Sequence, residues 1–173
     1  VSRLKTYPLK TRSSKVKMSD FSIPWRSGGS FAKFLSGLPD MLAVKTLRSL
    51  ATAIAQARRK GRPVIVGMGA HPTKVGLNPV LVDLMRRDIV TAMAFNGAVV
   101  IHDFELALMG HTSEEVEAEI DSGRFGMAEE TGHLINQAIV EGVRKGFGIG
   151  ESVGQYIHSR HKQFPNWKTS LLA

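Results

Sequence analysis

The stretch "PVIVGMGAHPTKVGLNPVLVDLMRRDIVTAMAFNGAVVIHDFELALMG", Pro63 to Gly110, decides the fold. "VIVG" (Val64 to Gly67) is a short β-branched run without polar alternation, as expected of a parallel strand covered on both faces. A glycine-bearing loop, Met68 to Leu77, leads into an apolar-periodic segment from Asn78 to Arg87, with Asn78 as cap and Pro79 in its first turn; this predicts a helix. "IVTAMAF" (Ile89 to Phe95) then predicts a second buried strand, and Asn96-Gly97 opens a helix of roughly Val99 to Met109. The order is β-α-β-α, which implies a parallel sheet with right-handed crossovers.

In such a sheet functional groups gather beyond the carboxyl ends of the strands. Two loops lie there. The first carries Gly67 and Gly69, which let a backbone approach a ligand, followed by Ala70, His71, Thr73 and Lys74. Pro72 stands where a G-x-G-x-x-G fingerprint needs its third glycine, and no P-loop G-K-[ST] ending is present. The second loop is Asn96, Gly97 and Ala98, where the first amides of a helix can hold an anionic or polar ligand oxygen. If the strands are neighbours, His71 and Asn96 converge on one site.

His102, Asp103 and Glu105 follow in the second helix, and three readings stay open for them. They could form a solvated polar face, a catalytic or ligand-binding group, or part of a metal site. His71, His102, His111 and His133 supply imidazoles, but no H-x-x-x-H or H-E-x-x-H spacing places two on one helical face. Glu129 and Glu130 lie four and three residues before His133, which predicts a helix-surface ion pair. Met85, Met93, Met109 and Met127 read as core filler.

Outward from this centre the chain reads in segments. Residues 1–30 are expected to form a basic, irregular arm, with "SIPWRSGGS" (Ser22 to Ser30) as a loop; residues 31–173 are expected to form the α/β domain. Phe31 to Leu38 predicts a short helix, and Pro39 to Lys60 a longer one with Arg58, Arg59 and Lys60 in its last turn and Gly61 as its stop. "HTSEEVEAEIDSG" (His111 to Gly123) predicts an acidic helix capped by Thr112 or Ser113. A longer amphipathic helix is expected over Gly126 to Gly146, with Gly148 to Ile157 as its glycine-broken continuation. The closing "NWKTSLLA" looks like the start of an apolar helical segment, so an incomplete half of a larger domain is expected.

Composition bounds the function. With 173 residues and 43% hydrophobic content, one α/β domain with a real core is the expectation. Zero cysteines exclude disulfides, thiolate catalysis and Cys-ligated zinc. No apolar run or leader-like start is present to suggest a membrane span or export, so we expect no membrane association and a cytoplasmic location. The net charge of +8 suggests polyanions, but Arg3, Lys5, Lys10, Arg12, Lys15 and Lys17 stand together without an acid, and Arg160, Lys162 and Lys168 sit near the other end. Charge kept to the ends, without interleaved stacking aromatics, argues against nucleic-acid binding as the main role. No G-x-S-x-G elbow supports serine catalysis.

Residues 64 to 109 resemble the deoxyhypusine synthase family, whose pattern runs approximately L-G-Y-T-S-N-L-I-S-S-G, a helix, then T-T-A-G-G-V-E-E-D. "VGMGAHPTKVG" (Val66 to Gly76) and "FNGAVVIHD" (Phe95 to Asp103) fall in the same order, and Gly67, Gly76 and Asp103 match outright. The resemblance covers about a quarter of the chain. The family's Thr-Ser-Asn segment falls on Gly69, Ala70 and His71, and its Thr-Thr-Ala-Gly-Gly on Phe95 to Val99. Its paired acids fall on Ile101 and His102.

The resemblance implies a Rossmann-like parallel sheet flanked by helices, NAD held by Gly67, Gly69, Ala70, His71, Asn96, Gly97 and Ala98, and an amine or polyamine as substrate. It also implies a homo-oligomer, a tetramer in the family. His102 and Asp103 become the catalytic candidates, His102 as the base. The family's lysine lies in a W-G-K segment, for which Trp167-Lys168 offers only a glycine-less counterpart. Two other readings stand beside this one: a metal-dependent hydrolase using His71, His102, Asp103 and His133, and a non-catalytic protein whose basic arms bind RNA or an acidic partner.

Overall fold

The computed structural model describes residues 4–173, so Arg3 of the basic cluster lies outside the described residues. The chain divides into two compact units, Val1–Gln56 and Ala57–Ala173.

The first unit holds two short 3-10 turns, then α1 (Phe31–Gly37) and most of α2 (Leu42–Arg59). Ser30 caps α1 by accepting from the Lys33 amide at 3.3 Å. The other end of α1 is held by one side chain, because Arg48 donates from Nη2 to the carbonyls of Leu35 at 2.8 Å, Ser36 at 3.1 Å and Leu38 at 2.8 Å. Leu35 also accepts from the Leu38 amide at 3.4 Å, whereas the Ser36 and Leu38 carbonyls would otherwise be left without a partner at the helix terminus. Lys5, Lys10, Arg12, Lys15 and Lys17 are all exposed.

The second unit follows the predicted strand and helix order. β1 (Ile65–Met68) pairs in parallel with β2 (Ala92–Phe95), Met68 opposite Phe95. The prediction of full burial is corrected: Ile65, Gly67, Ala92 and Ala94 are exposed while Val66, Met68, Met93 and Phe95 are half-buried. One face of this two-stranded sheet is covered and the other is open, so β-branched residues report strand conformation more surely than they report its covering.

Between the strands the loop contains a further short helix, α3 (His71–Lys74), and then α4 (Asn78–Arg86). Asn78 is buried as the first residue of α4 and makes no cap; Leu77 stands at the cap position. α5 (Gly97–Met109) begins on Asn96, whose side chain accepts from the Val99 amide at 3.3 Å, and ends on Gly110, at φ 78°. That left-handed residue is one only glycine adopts without penalty.

The acidic segment forms only α6 (Val116–Ile120), without a side-chain cap. Next come α7 (Glu129–Val143) and α8 (Ile149–Ser159), which is a separate helix because Gly146 turns the chain at φ 79°. α7 and α8 pack closely where Gly142 faces Ser152: a Cβ built on Gly142 would lie 1.9 Å from Ser152 Oγ. The core joins Val100, Phe104 and Ala107 of α5 to Ala138, Val153, Tyr156, Ile157 and Phe164. Phe164 meets Phe104 edge-on at 5.2 Å and Tyr156 at 6.2 Å.

The C-terminal end, expected as a basic arm, is packed instead. After a 3-10 turn at Trp167–Thr169, Ser170 and Leu171 are buried, and no helix starts there. Arg160 donates to both oxygens of Glu141 at 3.0 Å and lies 3.9 Å over the Tyr156 ring. Among the described residues no helix is long and apolar enough to cross a membrane.

Candidate functional site

Because β1 and β2 pair in parallel, their carboxyl ends bring both glycine loops to one edge. A Cβ built on Gly69 would lie 3.6 Å from Asn96 Nδ2, so the two loops touch. Gly67, Gly69, His71, Asn96, Gly97 and Ala98 are exposed there, with Ala70 half-buried. Nothing stands within 4 Å of a Cβ built on Gly67 or Gly97. Asn96 occupies the Val99 amide, while the amides of Gly97 and Ala98 belong to the first turn and find no acceptor within the helix. The edge therefore offers backbone donors, an amide side chain and the His71 imidazole on open surface.

His102 and Asp103, expected as a catalytic pair, are separated by the helix itself. Successive residues of an α-helix project about 100° apart. Val99, Val100, Asp103, Phe104 and Ala107 form the buried stripe of α5, and Asp103 is 0% exposed. Its Oδ1 accepts from Asn78 Nδ2 at 2.8 Å and from the Leu171 amide at 2.9 Å. Oδ2 accepts from Ser170 Oγ at 2.7 Å and the Leu172 amide at 3.2 Å. Burial pushes the Asp103 carboxyl above its ordinary range, against the lowering effect of the hydrogen bonds from Leu171, Ser170, Leu172 and Asn78. Such a carboxyl cannot touch a ligand; it ties the C-terminal segment to α5.

His102 lies on the other side, in a chain of polar groups that sequence reasoning missed. Its Nδ1 is 2.7 Å from Thr112 Oγ1, and Thr112 donates to Glu105 Oε2. Thr131 donates to Glu105 Oε1 at 2.9 Å, and His102 Nδ1 stands 3.9 Å from Glu105 Oε2. Thr112, expected as a helix cap, is thus a bridge between α5 and the segment that follows it. Glu105, Thr112 and Thr131 share with His111, Glu114 and Glu130 the polar lining of a cavity of about 290 Å³, which Leu108, Met109 and Ala128 also line. Met109 and Met127 are mostly exposed, so neither fills the core.

His102 is six positions along α5 from Asn96, about 9 Å of helix axis. No hydrogen bond joins it to His71 or Asn96 among the described residues. His133 is exposed and makes no ion pair with Glu129 or Glu130 among them. Nor does any group of three or more His, Asp or Glu stand where it could hold a metal ion among those residues, so His71, His102, Asp103 and His133 do not gather. Among the described residues two buried side-chain polar atoms lack partners, Thr73 Oγ1 in α3 and Asn78 Oδ1. No protein-family model, curated protein or solved structure matches this chain.

Proposed function

We propose that the chain is a divergent deoxyhypusine synthase-like protein that binds NAD at the edge formed by the loops 67–77 and 95–103 and acts on an amine. The observation that carries this reading is the meeting of Gly69 and Asn96 beyond the carboxyl ends of two paired parallel strands. The residues present suit the cofactor: Gly67, Gly69 and Gly97 let backbone approach a pyrophosphate, and the first-turn amides of Gly97 and Ala98 supply its donors. Ala70 and His71 flank that cradle, and Asn96 fixes the start of α5 beneath it.

Bound NAD would supply a hydride acceptor. His102 is the proton acceptor in this reading, and a substrate amine must then bridge the roughly 9 Å of helix between cradle and imidazole. Thermal-shift titration tests it. NAD at millimolar concentration should raise the unfolding temperature, and Gly69→Val, with a side chain in the cradle, should abolish that rise while leaving the unliganded temperature nearly unchanged. A wild-type protein whose unfolding temperature does not move with NAD would overturn the reading.

A further inference from the structure

We infer that Thr112, Glu105 and Thr131 are positioning residues that hold His102 in the tautomer protonated at Nδ1, leaving Nε2 as its proton-accepting atom. This goes beyond the nucleotide reading and does not rest on it, because it follows from hydrogen-bond inventory alone.

A threonine hydroxyl has one proton to give, and an ionised carboxylate has none. Glu105 receives a hydroxyl on each oxygen, Thr131 on Oε1 and Thr112 on Oε2. Once Thr112 spends its proton on Glu105, its oxygen can only accept along the 2.7 Å contact to His102 Nδ1. His102 must therefore carry N–H at Nδ1, although free neutral histidine favours N–H at Nε2. The ring nitrogen that makes the fixed hydrogen bond decides which one is left for chemistry.

Nε2 has no hydrogen-bond partner among the described residues and is not one of the sealed polar atoms found there, on a side chain that is 19% exposed, so its lone pair is left unused. Its geometry is that of a base. A ligand X–H gives its proton to Nε2, and X keeps the electron pair. The imidazolium formed still donates from Nδ1 to Thr112, with the Glu105 carboxylate 3.9 Å away to offset the new charge. Nothing moves when the charge appears, because the partners are already in place.

Long-range ¹H–¹⁵N spectra of the full, ¹⁵N-labelled chain test this, recorded about two pH units above the ordinary imidazole pKa of about 6.5. The His102 signal is assigned by its loss in His102→Gln. The wild type should show predominantly the Nδ1–H pattern; a predominant Nε2–H pattern overturns the inference without any variant. Thr112→Val should shift the signal toward Nε2–H, and Thr112→Ser, which restores the hydroxyl, should hold the wild-type pattern. An unchanged signal in Thr112→Val, or a shifted one in Thr112→Ser, removes Thr112 from the role.

Discussion

Two polar clusters grow from adjacent residues of α5 and differ in almost every respect. Around Asp103 the donors are Asn78, Ser170 and two backbone amides, the carboxyl is sealed, and three of the four bonds reach residues 67 to 69 positions away. Around Glu105 and His102 the groups are only partly buried, the partners lie 10 and 26 positions off or nearer, and one ring nitrogen stays open. The first cluster closes a fold. The second is the one we infer to hold His102 in one tautomer, and its Glu105, Thr112 and Thr131 line a cavity. A polar residue that ties distant chain segments together and is dry serves the fold; one held by near neighbours with a ring nitrogen left over is where we place the proposed chemistry.

The largest effect should come from the closed cluster. Asp103→Ala removes the shared acceptor of four donors, of which Asn78 Nδ2 and the Leu172 amide keep second partners in Thr169 and Ser170, and should cost about 4 kcal/mol in urea unfolding. Its pH dependence has a definite sign. The folded carboxyl lies above its ordinary 3.8, so its contribution to stability is fully present below that value and is lost as pH rises through the folded one. The stability of the wild type relative to Asp103→Asn should therefore fall as pH climbs from about 4.

Gly154→Ala asks whether the segment that feeds Asp103 is held as tightly as its hydrogen bonds suggest. A Cβ there would lie 2.0 Å from the Leu172 carbonyl oxygen, which belongs to backbone and cannot swing aside. Overpacking of this kind should cost about 2 kcal/mol. Asn96→Ala removes the cap of α5 and should cost about 1 kcal/mol, with a loss of NAD-induced thermal shift if the cradle is as proposed. Smallest should be His102→Gln, which leaves the core untouched and should change stability by about 0.5 kcal/mol.

Much of this architecture is legible in the chain. β-branched "VIVG" and the apolar "AMAF" announce the strands, Asn96 announces the helix start, and Gly110 its stop, because each is a local choice with a local cause. The convergence of Gly69 and Asn96 follows from parallel pairing alone. What could not be read was set by distance in sequence. Nothing near Asp103 hints at Ser170, Leu171 and Leu172, and the buried stripe at Val99, Val100, Asp103, Phe104 and Ala107 was the one available sign that Asp103 faces inward. Thr112 was misassigned for a related reason: a Thr before acidic residues satisfies the rule for a cap, yet Glu105 and His102 compete for its hydroxyl and win. The C-terminal basic residues read as an arm because Phe164, Ser170 and Leu171, buried around them, are too few and too scattered to show a period.

The division of labour within α5 is tested most directly by measuring Asp103→Asn and His102→Gln side by side in urea unfolding at one pH. Asp103→Asn should lower the unfolding free energy by about 2 kcal/mol or more, since an amide presents donors where donors already point, and His102→Gln by about 0.5 kcal/mol. Equal losses, or a larger loss for His102→Gln, would contradict the assignment of Asp103 to the fold and His102 to the chemistry.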